Sequence, residues 1–196
     1  MHDRVDVHTL ICDDTEKSKY DTRIVPGIKG NILQARINAF ASCPDDKEFV
    51  SFIDPGDNLI ITNIYDVIVK FLDENEHIGG VYTNSYVVHN ANCNYTLLPD
   101  HKWSNEYHLS RTVPIHQCVV VRKTCMDYAI TQVLNEWPQD KPSYIPEQLL
   151  YAHIKEWHFM NLPAYQWNRK DNGASTKLQG SLLNDECLYI RQVRQR

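Results

Sequence analysis

The sequence predicts an α/β fold, a single domain built on a mostly parallel central sheet flanked by helices. Three observations carry that expectation. Short apolar runs suited to buried strands alternate with longer stretches of helical periodicity. The 196 residues suit one compact domain, and at 42% hydrophobic they can bury a sizeable core. No internal repeat, low-complexity tract or linker interrupts the alternation.

The elements follow in order. Residues 5–12 are apolar and β-branched and lead into Asp13-Asp14, which reads as a strand delivering two carboxylates to a loop. A short strand is expected at 22–25, stopped by Pro26-Gly27. Residues 30–41 place Ile32, Leu33, Ile37 and Phe40 at helical spacing. Phe49-Val50-Ser51-Phe52-Ile53 is a nearly continuous apolar run and reads as a central buried strand. It stops at Asp54-Pro55-Gly56-Asp57, a turn signal. A helix is expected from about 59 to 75, with Ile60, Ile61, Ile64, Val67, Ile68, Phe71 and Leu72 buried and Asp57 or Asn58 as its N-cap.

Gly79-Gly80, a strand at 81–88 and a polar loop or irregular hairpin at 89–111 come next. Residues 115–122 read as a buried strand and 124–137 as a helix bounded by Pro138. Pro146, in a first-turn position, opens a helix running to about residue 159. A last strand is expected at 164–168, and the remainder reads as loop or tail. In sheets of this kind ligands sit beyond the carboxyl ends of the strands. Asp13-Asp14 and Asp54/Asp57 both fall at such ends.

Composition narrows the function. No apolar run reaches the roughly 18 residues of a membrane span, and the polar, acidic start is unlike a signal peptide, so a soluble cytoplasmic protein is expected. Six cysteines form no CxxC pair, which argues against a zinc site or a disulfide framework and for reduced, mostly buried thiols. His8 and His116 fall in apolar stretches and read as structural histidines. The net charge of −5 is uneven: residues 1–100 hold 8 basic against 16 acidic side chains, and residues 101–196 hold 12 against 9. That imbalance suits a metal site early and an anionic partner late, although on charge alone a solvated surface explains it better.

Asp54-Pro55-Gly56-Asp57 carries the chemistry. A strand end holds the first carboxylate and the Pro-Gly turn brings the second back toward it, an arrangement that favours a hard cation between them. The alternative is a turn whose Asp57 caps the next helix.

The neighbourhood of this motif resembles the family-2 glycosyltransferases of the GT-A fold. Their pattern is a strand, an Asp-Asp loop, an Ala-Arg-Asn helix, an apolar strand and an Asp-x-Asp-Asp motif. Here Asp13-Asp14-Thr15, Ala35-Arg36-Ile37-Asn38 and Asp54-Pro55-Gly56-Asp57 stand in that order. Downstream, residues 115–122, Tyr144-Ile145-Pro146-Glu147-Gln148 and Tyr165-Gln166-Trp167-Asn168-Arg169 look like the family's later strand, its catalytic-base motif and its closing strand. The chain departs from the pattern in its shortened start and in having Gln148 where the base motif has an aspartate.

The resemblance implies transfer of a sugar from a nucleotide-diphosphate sugar, most simply a UDP-sugar, to a hydroxyl acceptor, with inversion and with Mn²⁺ or Mg²⁺ as cofactor. Residues 1–88 would form the nucleotide-sugar and metal half and residues 89–196 the acceptor half. Asp54 and Asp57 would hold the metal and Glu147 would act as catalytic base. Asp13, Asp14 and Arg36 would bind the nucleotide sugar, with a structural loop as the alternative for the two aspartates and a structural partner of an acidic loop as the alternative for Arg36, and Trp103, Trp167 and Arg169 would bind the acceptor. Compact bacteriophage glycosyltransferases are similar in size, which points to DNA with hydroxymethylated bases as acceptor and to the host cytoplasm. A glycan or lipid-linked acceptor stands beside it.

Other classes fit less well. Pro44-Asp45-Asp46-Lys47-Glu48 is one contiguous charged turn, unlike the distributed carboxylates of a nuclease. A nucleotidyltransferase of similar fold would carry a glycine-rich phosphate loop, absent at Cys12-Asp13-Asp14-Thr15. A non-catalytic sugar- or protein-binding domain remains the third reading.

Overall fold

The computed structural model describes residues 10–13, 23–26, 31–54, 56–89, 94–97, 115, 118–138, 141, 143, 145–169 and 180–196. Strands β1 (Leu10–Asp13) and β2 (Arg23–Pro26) pair in parallel as a two-stranded sheet, and helix α1 (Ile32–Ala41) packs beside them. Asn31 caps α1, accepting from the Gln34 amide, while Leu33 and Ile37 turn inward at i, i+4 spacing. Ile32, expected inward, lies exposed in the first turn.

The main sheet contains β3 (Phe49–Val50), β4 (Asn58–Leu59), β5 (Gly80–His89), β6 (Asn94–Leu97), β7 (Val119–Arg122) and β8 (Trp157–Arg169). Its order is β3-β7-β5-β8-β4, with β6 paired to β5. The expected mostly parallel sheet is corrected here. The sheet is mixed: β5 and β8 run parallel, and the β3/β7, β7/β5, β8/β4 and β5/β6 pairs are antiparallel. The continuous apolar run Val119-Val120-Val121 reports burial on both faces, which does not determine strand direction. Val119 and Val121 join one core and Cys118 and Val120 the other, the alternation a strand imposes.

Helix α2 (Ile64–Glu74) covers one face with Ile64, Ile68 and Leu72, all fully buried. Each such side chain contributes about 1.5–3 kcal/mol. The other face is covered by α1, α3 (Lys123–Glu136), α4 (Pro146–Tyr151) and α5 (Gly180–Arg194). Arg122, at the end of β7, fastens the far end of α2, donating to the carbonyls of Leu72, Asn75 and Ile78.

Several boundaries differ from the sequence reading. The expected central strand at 49–53 is a two-residue edge strand, because β3 and β4 occupy opposite edges of the sheet. Four interstrand spacings, on the order of 19 Å, separate those edges. Residues 51–54, 56 and 57 belong to the segment drawn across that gap and do not pair along a strand. The helix expected from 59 begins at Ile64 with Asn63 in the cap position, since Asn58 and Leu59 pair with Gln166 and Tyr165. The helix opened by Pro146 ends at Tyr151, and Trp157 begins β8. The expected tail contains α5. Among the described cysteines, Cys118 is buried, and burial pushes its thiol up to about 12, whereas Cys43, Cys125 and Cys187 are only half-buried. His8 and His116 lie outside the described residues.

Candidate functional site

Three residues expected at the site meet from three separate segments. Arg36 projects from α1, Asp54 from the crossing segment and Glu147 from the first turn of α4. The Nε of Arg36 donates to Oε1 of Glu147 at 2.7 Å, and its Nη2 donates to Oδ1 of Asp54. The Phe52 ring lies 5.2 Å from the guanidinium carbon, backing the fork with an aromatic face. The Arg36 side chain is 16% exposed, against 24% for Glu147 and 49% for Asp54, so the cluster opens to solvent on its carboxylate side. Burial opposes the charge on Arg36, but the Glu147 and Asp54 carboxylates outweigh it and raise its pKa.

Gln148, the next residue of α4, is buried and donates to the Ile115 carbonyl at 2.8 Å. Of the two adjacent residues, Glu147 is therefore the one that joins the cluster. Tyr151, one turn further along α4, is buried, and burial followed by the Glu147 charge holds its hydroxyl protonated.

Asp57 has a different setting. Its Oδ2 accepts from the Tyr165 hydroxyl at 2.8 Å and its Oδ1 from the Asn168 amide at 2.9 Å. Asn168 Nδ2 also donates to the Gly56 carbonyl. Gly56 has φ 95°, in the region open to glycine, which is what the reversal into Asp57 demands. The reading of Asp57 as a helix cap is thereby corrected: it is anchored to β8, while Asn63 precedes α2. Burial and the bond to Asp57 raise the Tyr165 hydroxyl far above its ordinary value, so it stays a donor. Nothing in the local sequence around Asp57 announces Tyr165 or Asn168, which lie 108 and 111 positions away.

The remaining expected residues are less informative. Asp13 ends β1, opposite Pro26. Asp14 and Trp103 lie outside the described residues. Trp167 packs half-buried against the α2 side of the core, and Arg169 closes β8 opposite His89. Two basic residues of the tail are engaged within the fold: Arg196 pairs with Glu136 at 2.7 Å, and Arg194, largely buried, is lowered by that burial to about 10. The charged turn at 44–48 forms ion pairs Lys47–Asp46 and Lys123–Asp45 and holds none of the candidate residues.

Among the described residues no three His, Cys, Asp or Glu side chains gather as a ready-made metal cage. The donors present suit a cation that takes one or two carboxylates and completes its shell from phosphate and water. Both Asp57 oxygens are oriented by hydrogen bonds, as the carboxylates of metal ligands commonly are.

No protein-family model matches the chain, and no curated protein does. Among solved structures, it is similar to the crystal structure of S. aureus TarS 1-349, a staphylococcal glycosyltransferase, with a TM-score of 0.53 and 14% identity. The likeness covers 75% of this chain and 43% of that one, so this chain spans less than half the length of the structure it matches. At that identity the likeness speaks to architecture: this mixed α/β chain has a glycosyltransferase-like fold.

Proposed function

We propose that this chain transfers a sugar from a nucleotide-diphosphate sugar to a hydroxyl acceptor, using a GT-A-type donor site in a single domain. The observation that carries the reading is the Arg36 bridge, which joins the acidic turn at Asp54 to Glu147. In this reading Asp57, supported by Asp54, holds Mn²⁺ or Mg²⁺, and Asp13 and Asp14 contact the nucleoside. When bound, that cation supplies charge neutralisation for the departing diphosphate.

The chain's own residues do the rest. Arg36 fixes Oε1 of Glu147, leaving Oε2 to take the proton of the acceptor hydroxyl. The oxygen so freed attacks the anomeric carbon from the face opposite the diphosphate, which inverts the configuration. Proton removal by a positioned carboxylate contributes roughly 10²–10⁴-fold. Trp103, Trp167 and Arg169 are assigned to the acceptor side.

The test is titration of UDP and other nucleoside diphosphates with and without Mn²⁺, beside Asp57→Ala. Metal-dependent binding that the variant loses supports the donor site. Absence of binding under every metal condition sinks the enzyme reading. Incubation of a UDP-sugar with hydroxymethylated DNA and with a free glycan then identifies the acceptor. Product on one alone assigns it, and binding without transfer to any acceptor points to a sugar-binding domain.

A further inference from the structure

Helix α4 has only six residues, too few to hold its own position in water, and no side chain of its own caps its start. Glu147 stands at its second position, so the placement of Glu147 depends on whatever fixes the chain ahead of the helix. That anchor comes from α5. Glu186, on α5, is 1% exposed, and its Oε1 accepts from the Ser143 hydroxyl at 2.5 Å and, at a longer 3.4 Å, from the Ile145 amide. Ile145 is the residue immediately before α4. The neighbouring Asp185 pairs with Lys141 at 2.6 Å, so two consecutive carboxylates of α5 grip the approach to α4 at 141, 143 and 145. Ile190 and Val193 seat the same helix in the core shared with Leu149 and Leu150 of α4.

Burying a carboxylate is costly, and a hydrophobic residue would serve packing better at that place. The hydrogen bonds Glu186 makes fix the start of α4, two residues before the group that meets Arg36. We infer that Glu186 is a positioning residue for Glu147, acting through Ser143 and Ile145. This makes α5, rather than a free tail, the support of the proposed base. The inference rests on the glycosyl-transfer reading for its catalytic consequence, but its structural core is testable without activity.

The experiment is a double-substitution cycle followed by urea unfolding. Glu147→Gln is made in the native chain and in Glu186→Ala, with Ser143→Ala as a milder background that keeps the buried carboxylate. If Glu186 positions Glu147, the fall in urea midpoint caused by Glu147→Gln shrinks to less than half in either background, because the Arg36 contact is already loosened. Equal shifts in native and substituted backgrounds overturn the inference. In a transfer assay, Glu186→Ala and Ser143→Ala each lower kcat by about 10-fold or more while nucleotide affinity changes less than about two-fold. Glu186→Gln, which retains an acceptor oxygen for Ser143 and Ile145, recovers most of that loss. Loss of affinity in parallel with kcat overturns the positioning role. If the native chain transfers no sugar, the function reading fails, and the unfolding cycle still decides the inference.

Discussion

Arg36 and Glu147 lie 111 positions apart in the chain, yet the Nε of one donates to Oε1 of the other at 2.7 Å. The same guanidinium reaches Asp54, so one side chain of α1 sets the spacing between the acidic turn and the start of α4. A planar fork holds two carboxylates at a fixed separation and orientation, which the rotatable ammonium of a shorter, flexible lysine does not impose.

Arg36→Lys should therefore keep the charge but lose the double contact. Sugar transfer is expected to fall by about 10-fold or more with little change in melting temperature. Arg36→Ala, which leaves two carboxylates without their shared cation, should also destabilise the fold by about 1–2 kcal/mol. That is below the cost for a fully buried pair, because solvent screens both acids. Urea denaturation and a transfer assay on both variants check this, and full activity in Arg36→Lys would remove the fork from the mechanism.

Tyr165→Phe keeps the ring and deletes one anchor of Asp57. A hydrogen bond to a charged acceptor of this kind is worth about 1.5–3 kcal/mol, and part of that should appear as lost stability. Nucleoside diphosphate binding in Mn²⁺ should weaken several-fold, while any binding in its absence stays unchanged. The Asn168 amide bond to Asp57 comes from the main chain, so Asn168→Ala should leave Asp57 largely in place while loosening Gly56 and freeing the Gln166 side chain. Isothermal titration of the two variants side by side separates these effects.

Glu156 has φ 49° in the turn between α4 and β8, a backbone region unfavourable to side chains. Its carbonyl accepts from the Gly79 amide, a contact that any substitution preserves. Glu156→Gly should raise stability by about 0.5–1 kcal/mol, the relief of strain exceeding the added freedom of the unfolded chain. A lowered urea midpoint would contradict that balance.

Stability should weaken mildly with acid before the carboxylates titrate. Burial holds His153 and His158 below the ordinary value of 6.5, Glu136 opposing the shift at His153 and Arg196 adding to it. The folded chain then binds fewer protons than the unfolded one, so these groups leave stability intact above about pH 6.5 and erode it as pH falls below that value. Calorimetry between pH 7 and 5.5 should show a falling melting temperature, with a smaller slope in His153→Gln. An identical slope in that variant would remove His153 as a cause. His153 bonds the Tyr189 hydroxyl at 2.8 Å and His158 stacks on Phe71, so each ring is set within the packing that keeps it neutral.

Much of the fold was legible because its signals are local. Apolar spacing marked α1, α3 and the inner face of α2 at Ile64, Ile68 and Leu72, although Ile60 and Val67 of the expected face are exposed, and the apolar run at 115–122 marked the strand β7 within it. Helix α5 was missed for a specific reason: the buried positions among its described side chains are Glu186, Ile190 and Val193, and a carboxylate at the first of them breaks the apolar stripe. The premature strand at 49–53 and the late start of α2 share another cause. Phe49–Ile53 and Asn58-Leu59 were read from their own composition, whereas their state is set by strands β7 and β8, more than a hundred positions away for the latter.

By itself the sequence determined the alternation of apolar runs and helical stripes, the acidic turn at Asp54 and Asp57, and the acid after Pro146, since each depends on neighbours within a few residues. Only the tertiary structure decided that β5 and β8 run parallel inside a largely antiparallel sheet. It also decided that Asp57 answers to Tyr165 and that Arg36 stands between Asp54 and Glu147. Strand direction and side-chain pairing across the fold depend on where the chain returns after long connections, and the packing of distant segments settles that return.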